Sequence, residues 1–323
     1  MGKFSHIVTA IALLVATGAA TSAQEQTREK IIFMPQWTPQ AQFAGFYVAK
    51  EKGFYDYEGI DVEIKHKSTY STEPVMDLMQ KGNVQICGMQ LIGSLIAAGN
   101  GTPIVNVMQL TQKTGLRCVT HKSVTDPQDL NGMTIGKWKT GFSELVEMLA
   151  SDYDLNINWV PVTNGINLFV FGAVDATLCY SYNEFIQLEL AMGTIPEDHI
   201  IKFLNYSVSF PEDGLYVTAS YYKKHKEAVD KFVKASRRGW IYAAEHPEEA
   251  VKISEKITEK ANILTNHTLQ SRMLREYLEL MSNPASGKID FAPIGKKAFN
   301  SLAESLIRQN KIPLKPNYED FVK

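Results

Sequence analysis

The sequence predicts an α/β fold with a mainly parallel sheet, on two observations. Residues 31–64 read as strand, loop, helix and strand, and a second series of the same kind begins near Leu116. A helix joining two apolar strands is the right-handed crossover of a parallel sheet.

Each element has a local cause. Residues 31–34 are a short apolar run closed by Pro35, the pattern of a strand buried on both faces. Trp37 follows in a loop between Pro35 and Pro39. Phe43, Phe46, Tyr47 and Lys50 then recur at helical spacing up to Gly53, a C-terminal stop. Ile60, Val62 and Ile64 alternate with Asp61, Glu63 and Lys65, the period of a half-buried strand. Residues 74–79 predict a short helix and 84–87 a buried strand. Gly88-Met89-Gln90 is read as a turn into a helix through Ala98, and 104–108 as the next strand.

In the second series strands are expected at 116–120, 133–137, 174–180 and 200–204. Helices are expected at 141–150, just before Gly172, and at 183–192. Residues 126–132 form a capped turn. After a strand at 215–219 the pattern becomes helical. Ala228, Phe232, Ala235, Trp240 and Ala243 mark one helix, and 250–257, 269–281 and 294–307 mark three more.

The chain of 323 residues is long enough for two lobes of ordinary size. A net charge of −2 implies no polyanionic partner, so nucleic acid is not expected. Lys3, an apolar stretch at 7–16 and Thr21-Ser22-Ala23 read as a secretory signal peptide cleaved after Ala23, too short to span a bilayer. No Cys lies near that point, so a lipoprotein anchor is not expected. Cys87, Cys118 and Cys179 lie in apolar runs without metal spacing. They read as buried free thiols, with a Cys118–Cys179 disulfide as the alternative.

Ligands of such sheets sit beyond the carboxyl ends of the strands. Trp37 lies there, fixed between prolines; it is a stacking platform or, alternatively, a plug at the sheet's edge. Tyr180-Ser181-Tyr182-Asn183-Glu184 follows a buried strand and opens a helix. Glu184 or Asn183 could simply cap that helix. The functional reading is that Glu184 accepts hydrogen bonds from a ligand. Tyr180 and Tyr182 would add stacking and a hydroxyl. The same rule nominates Tyr70-Ser71-Thr72, Met89 and Gln90, Trp138, and Asn164. The start of the 141–150 helix, Thr140 to Ser143, could instead cradle a sulfonate or phosphate, with Arg117, Lys137 or Lys139 as the cation. The histidines are scattered and read as surface or capping residues. No metal or catalytic grouping is visible.

The opening segment resembles the periplasmic binding proteins related to thiamine-pyrimidine biosynthesis, a group that includes sulfonate and nitrate binders. Their Trp-x-Pro, Gly-x-Tyr-x-Ala, Gly-Phe-Tyr and Gly-Leu-Asp-Val pattern is matched by Trp37, Pro39, Gly45, Tyr47, Ala49, Gly53, Phe54, Tyr55, Gly59, Ile60, Asp61 and Val62. Gln40 and Phe43 stand where the nearest pyrimidine binders often have Asn and His. Asp129-Leu130, Gly132, Ile135 and Gly136, then Gly172-Ala173-Val174-Asp175-Ala176, extend the resemblance to about Val217.

The resemblance implies a two-lobed, type II periplasmic binding protein fold with a ligand cleft between the lobes. Lobe 1 would comprise 24–112 and 214–323, and lobe 2 would comprise 113–213. It implies the monomeric solute-binding subunit of an ABC importer, working with a membrane permease and a cytoplasmic ATPase, without a cofactor. The implied ligand is a thiamine pyrimidine precursor, hydroxymethyl- or formylamino-pyrimidine. Riboflavin-like or aromatic amide ligands stay open, and an aliphatic sulfonate is the alternative. The fungal synthases of the thiamine pyrimidine share this fold and use a Lys and a His after the third strand. Gln90 and Ser94 stand there, and Gln forms no Schiff base, so an enzyme is not expected.

Overall fold

The computed structural model describes Gly2 and residues 28–66, 73–139, 141–163, 165–283 and 285–323. The signal-peptide segment apart from Gly2, and Tyr70, Ser71, Thr72, Thr140 and Asn164, lie outside the described residues.

The chain runs β1 (Glu29–Met34), α1 (Ala44–Glu51), α2 (Phe54–Tyr57), β2 (Ile60–Ile64), α3 (Val75–Gln80), β3 (Ile86–Gln90), α4 (Leu91–Gly99) and β4 (Ile104–Gln109). The second series is β5 (Leu116–Thr120), β6 (Thr134–Trp138), α5 (Glu144–Asp152), β7 (Asn158–Val162), α6 (Asn167–Val170), β8 (Ala176–Tyr180), α7 (Glu184–Met192) and β9 (Ile200–Lys202). Then come β10 (Asp213–Thr218), α8 (Ala219–Glu245), α9 (Pro247–Lys260), α10 (His267–Met281), α11 (Lys296–Arg308) and α12 (Tyr318–Phe321).

Among the described residues two five-stranded sheets result, in the orders β2-β1-β3-β10-β4 and β7-β6-β8-β5-β9. The α/β class holds, with the sheets mixed. β10 is antiparallel to β3 and β4, and β5 is antiparallel to β8 and β9. These are the two strands on which the chain arrives from the other sheet, so each must enter against the run of its neighbours. Among the described residues no helix is long and apolar enough to cross a membrane.

The reading of Gly88-Met89-Gln90 as a turn is corrected. All three extend β3, because β10 supplies partners more than a hundred residues away: Leu215, Gly214 and Asp213. α5 begins at Glu144, three residues later than expected, because Gly141 and Phe142 have left-handed backbones (φ 69° and 63°). The three thiols are buried and free. Burial alone keeps Cys118 protonated, its pKa pushed up to about 12.

One glycine of the opening motif has a packing reason. α1 crosses α8 so closely that a Cβ on Gly45 would lie 2.2 Å from Cδ2 of Trp240, which is fully buried. Gly45→Ala is therefore expected to destabilise the fold by about 1–3 kcal/mol through overpacking. Urea denaturation of the variant checks this; an unchanged midpoint would refute it.

Candidate ligand-binding site

The two chain crossings between the sheets run side by side. The N–H groups of Leu110 and Thr111 donate to the Asp213 carbonyl at 2.9 and 3.2 Å. The Thr111 hydroxyl accepts from the N–H groups of Glu212 and Asp213 at 3.2 and 2.9 Å. The Glu212 carboxyl accepts from the N–H of Gly115 at 2.9 Å. Side chains at the carboxyl ends of strands in both sheets converge above this junction.

From the second sheet comes a ladder of rings. Trp138 ends β6 and Tyr180 ends β8; they stack at 5.3 Å, and Tyr180 stacks on Tyr182 at 5.3 Å. Tyr182 meets Tyr277 of α10 edge-on at 5.2 Å. From the first sheet comes Trp37, whose ring faces Phe142 edge-on at 5.5 Å. Trp37, Trp138, Phe142, Tyr180 and Tyr182, with Gln36, Gln40, Gln42, Asn183 and Glu184, line an aromatic box enclosing ≈ 20 Å³ in this structure. That is room for about one water, so a ring enters only if the walls move.

Glu184 is the one charged side chain among the described residues lining the box. It is 5% exposed. Its carboxyl accepts from the N–H of Tyr180 and the amide of Asn183, each at 3.1 Å. Burial raises its pKa above the usual carboxylate range, against the lowering pull of those donors and of Trp138. Asn183 precedes α7 and its side chain makes no cap bond to the helix. Glu184 does fold back on the strand end, so part of its role is structural.

A polar chain couples the box to the junction. The Gln42 amide donates to the Tyr182 hydroxyl at 3.1 Å and to the Asp213 carboxyl at 2.9 Å. Tyr277 donates to the same carboxyl oxygen at 2.9 Å. Gln90 donates to the Tyr180 hydroxyl, which donates to Glu212 at 3.3 Å. Burial pushes Glu212 up to about 8, and neighbouring Asp213 adds to the shift. Burial raises Asp213 to about 6, against the bonds from Tyr277 and Gln42.

Trp37, Trp138, Tyr180, Tyr182, Asn183 and Glu184 therefore share one box. Met89 and Gln90 do not line it; they line an adjoining cavity. Two of the three cations suggested for an anion site, Lys137 and Arg117, are engaged elsewhere. Lys137 pairs with Glu147 at 2.7 Å, and the Arg117 guanidinium lies 4.1 Å over the Phe185 ring. Ser143 makes no side-chain cap bond either.

The reading of every histidine as surface or capping fails at His66. Its ring packs on Phe43 at 5.3 Å and bonds the Trp37 carbonyl at 2.7 Å and the Tyr47 hydroxyl at 2.8 Å. Burial pushes its pKa down to about 4, so it stays neutral at physiological pH and pins the Trp37 loop. Sequence reasoning also missed Gln36, Gln42, Glu212 and Asp213, which carry no local signal; Phe142 was nominated only as part of the Thr140 to Ser143 helix start, not as a ring of the box.

The fold and the cleft-end cluster of rings define a two-sheet binding-protein architecture. The periplasmic aliphatic sulphonate binding protein SsuA from Escherichia coli has this fold: TM-score 0.64 at 13% identity, covering 91% of this chain and 97% of that one. The chain belongs to the NMT1/THI5 like family, whose model matches residues 40–250. A formylaminopyrimidine-binding protein of Halalkalibacterium halodurans is 25% identical over 295 residues, 87% of each chain. A 4-amino-5-hydroxymethyl-2-methylpyrimidine phosphate synthase of Candida albicans is 26% identical over 238 residues, 68% of this chain and 69% of that one.

Proposed function

We propose that this protein is the extracytoplasmic solute-binding subunit of an ABC importer and that it binds an aminopyrimidine, a hydroxymethyl or formylamino precursor of thiamine. The observation that carries the reading is Glu184, a buried carboxyl with a raised pKa in a box of aromatic rings. An aminopyrimidine edge offers one acceptor beside one donor. With one proton shared between ring and carboxyl, both bonds form, and Trp37, Trp138 and Tyr180 supply apolar faces. The formylaminopyrimidine-binding relative supports this ligand class.

A sulfonate fits less well, since an anion here would face Glu184 with no cation among the described lining residues. A pyrimidine synthase is disfavoured by the residues after β3. Gln90 is committed to Tyr180, and Ser94 is fully buried and donates to the Leu91 carbonyl.

In this reading residues 24–112 with 214–323 form one lobe and 113–213 the other. They close on the ligand about the crossings at 110–115 and 211–213. The chain is exported through its signal segment to the periplasm, works as a monomer, and delivers ligand to a permease driven by a cytoplasmic ATPase. Titration calorimetry with 4-amino-5-hydroxymethyl-2-methylpyrimidine, its formylamino relative, an alkanesulfonate and riboflavin tests the ligand. Binding of the aminopyrimidines alone is expected. Preference for the sulfonate would overturn the assignment.

A further inference from the structure

The aromatic box does not end at Gln36 and Phe142. Both also line a second cavity of ≈ 250 Å³, whose other walls include Met34, Pro35, Met89, Gln90, Gly93 and Glu144. It is far too large for a single water. Phe142 is the partition between the two. Its φ of 63° is one that few non-glycine residues adopt, and it follows Gly141 at 69°. Its ring is edge-on to Trp37 at 5.5 Å and to Trp138 and Tyr180 at 6.2 and 6.4 Å. Turning that one ring aside would join the two cavities.

We propose that the second cavity is a subsite for the substituent on the ligand's ring, and that it takes an uncharged or cationic substituent rather than a phosphate or sulfonate. This rests on the aminopyrimidine reading of the box. Three observations carry it. Glu144 is half-buried at the wall and makes no hydrogen bond or ion pair with a described residue. The described lining contains no Lys, Arg or His. The remaining walls are apolar side chains, glycines and the amides of Gln36 and Gln90, which accept alkyl, hydroxyl or amine. A phosphate would bring like charge against Glu144 in a partly desolvated cavity. A cationic group would be drawn to it.

Gly93 gives the clean test. It lies within α4 and faces this cavity, and a Cβ there meets no atom within 4 Å. Gly93→Leu fills the subsite while improving helix propensity, so the variant is expected to fold. The probes are 4-amino-5-hydroxymethyl-2-methylpyrimidine, its phosphate ester, and thiamine, which bears a cationic thiazolium on a closely similar ring. In calorimetry the wild type should bind the phosphate at least about tenfold more weakly than the alcohol, and Glu144→Gln should narrow that gap. Gly93→Leu should weaken thiamine by about tenfold or more and weaken the alcohol, whose hydroxymethyl group fills far less of the cavity, by several-fold less than thiamine. The subsite is refuted if the alcohol binds but Gly93→Leu affects both probes equally or neither, or if the phosphate binds as tightly as the alcohol. If none of the three binds the wild type, the aminopyrimidine reading falls and takes the subsite with it.

Discussion

Glu212→Gln should raise the melting temperature above that of the wild type at pH 8.5 and leave it nearly unchanged at pH 5. Glu212 and Asp213 are adjacent, buried, and shifted upward, to about 8 and about 6 from ordinary values of 4.5 and 3.8. A carboxyl whose folded pKa exceeds its unfolded value stabilises the fold below the unfolded pKa. It loses that contribution as pH rises through the folded pKa. Between 4.5 and about 6 the folded chain holds up to two more protons than the unfolded one, so stability falls by about 3 kcal/mol per pH unit. From about 6 to about 8 one extra proton remains, and the slope is about 1 kcal/mol per unit.

Gln at 212 imitates the protonated acid. Its carbonyl accepts from the N–H of Gly115, and its amide donates toward the Thr114 or Tyr180 hydroxyl. The variant should thus lack the slope above about pH 6 that belongs to Glu212. Thermal melts of both proteins from pH 5 to 9, without ligand, measure it. Parallel curves would mean that Glu212 is ionised in the fold without penalty.

Glu184→Gln should weaken aminopyrimidine binding by about tenfold to a hundredfold, the range of a charge-assisted hydrogen bond. Gln keeps the oxygen that takes the Tyr180 N–H, but turns an amide donor toward the Asn183 amide, itself a donor in this structure. It also cannot share a proton with the ring. Wild-type affinity should therefore fall as pH rises above the raised Glu184 pKa, because binding must then take up a proton. The Gln variant should show a flat profile. Trp37→Ala should cost less, about 0.5–1.5 kcal/mol of ring contact plus lost apolar burial, and leave the pH profile intact. Calorimetry across pH, with melts of the ligand-free proteins, separates the roles. Unchanged affinity with a lowered melting temperature would make Glu184 purely structural.

Much of the site was legible locally. Trp37 after a strand, and Tyr180 to Glu184 between a strand and a helix, were found because a strand's carboxyl end is visible in the pattern of a few residues. The split of the candidates was not. Met89 and Gln90 satisfy the same strand-end rule as Trp37, yet Phe142 places them in another cavity. A rule about strand ends locates the cleft but not the walls inside it.

Local patterning, although it left the β7 strand unread, is enough for most of the strands and helices, the burial of the thiols, the helical C-terminal third and the rings beyond the strands. All of these follow from apolar periodicity and turn chemistry within a dozen residues. Tertiary structure alone decided that Gly88 to Gln90 lie in a strand, since their partners are on β10. It also decided that His66 pins the Trp37 loop, that Gln42 joins Tyr182 to Asp213, and that Glu212 and Asp213 share a buried junction. Periodicity reports that a side chain is buried, whereas hydrogen-bond partners and pKa depend on which distant group the fold brings against it. Gln42 and Asp213 are 171 residues apart, and nothing in either neighbourhood encodes the other.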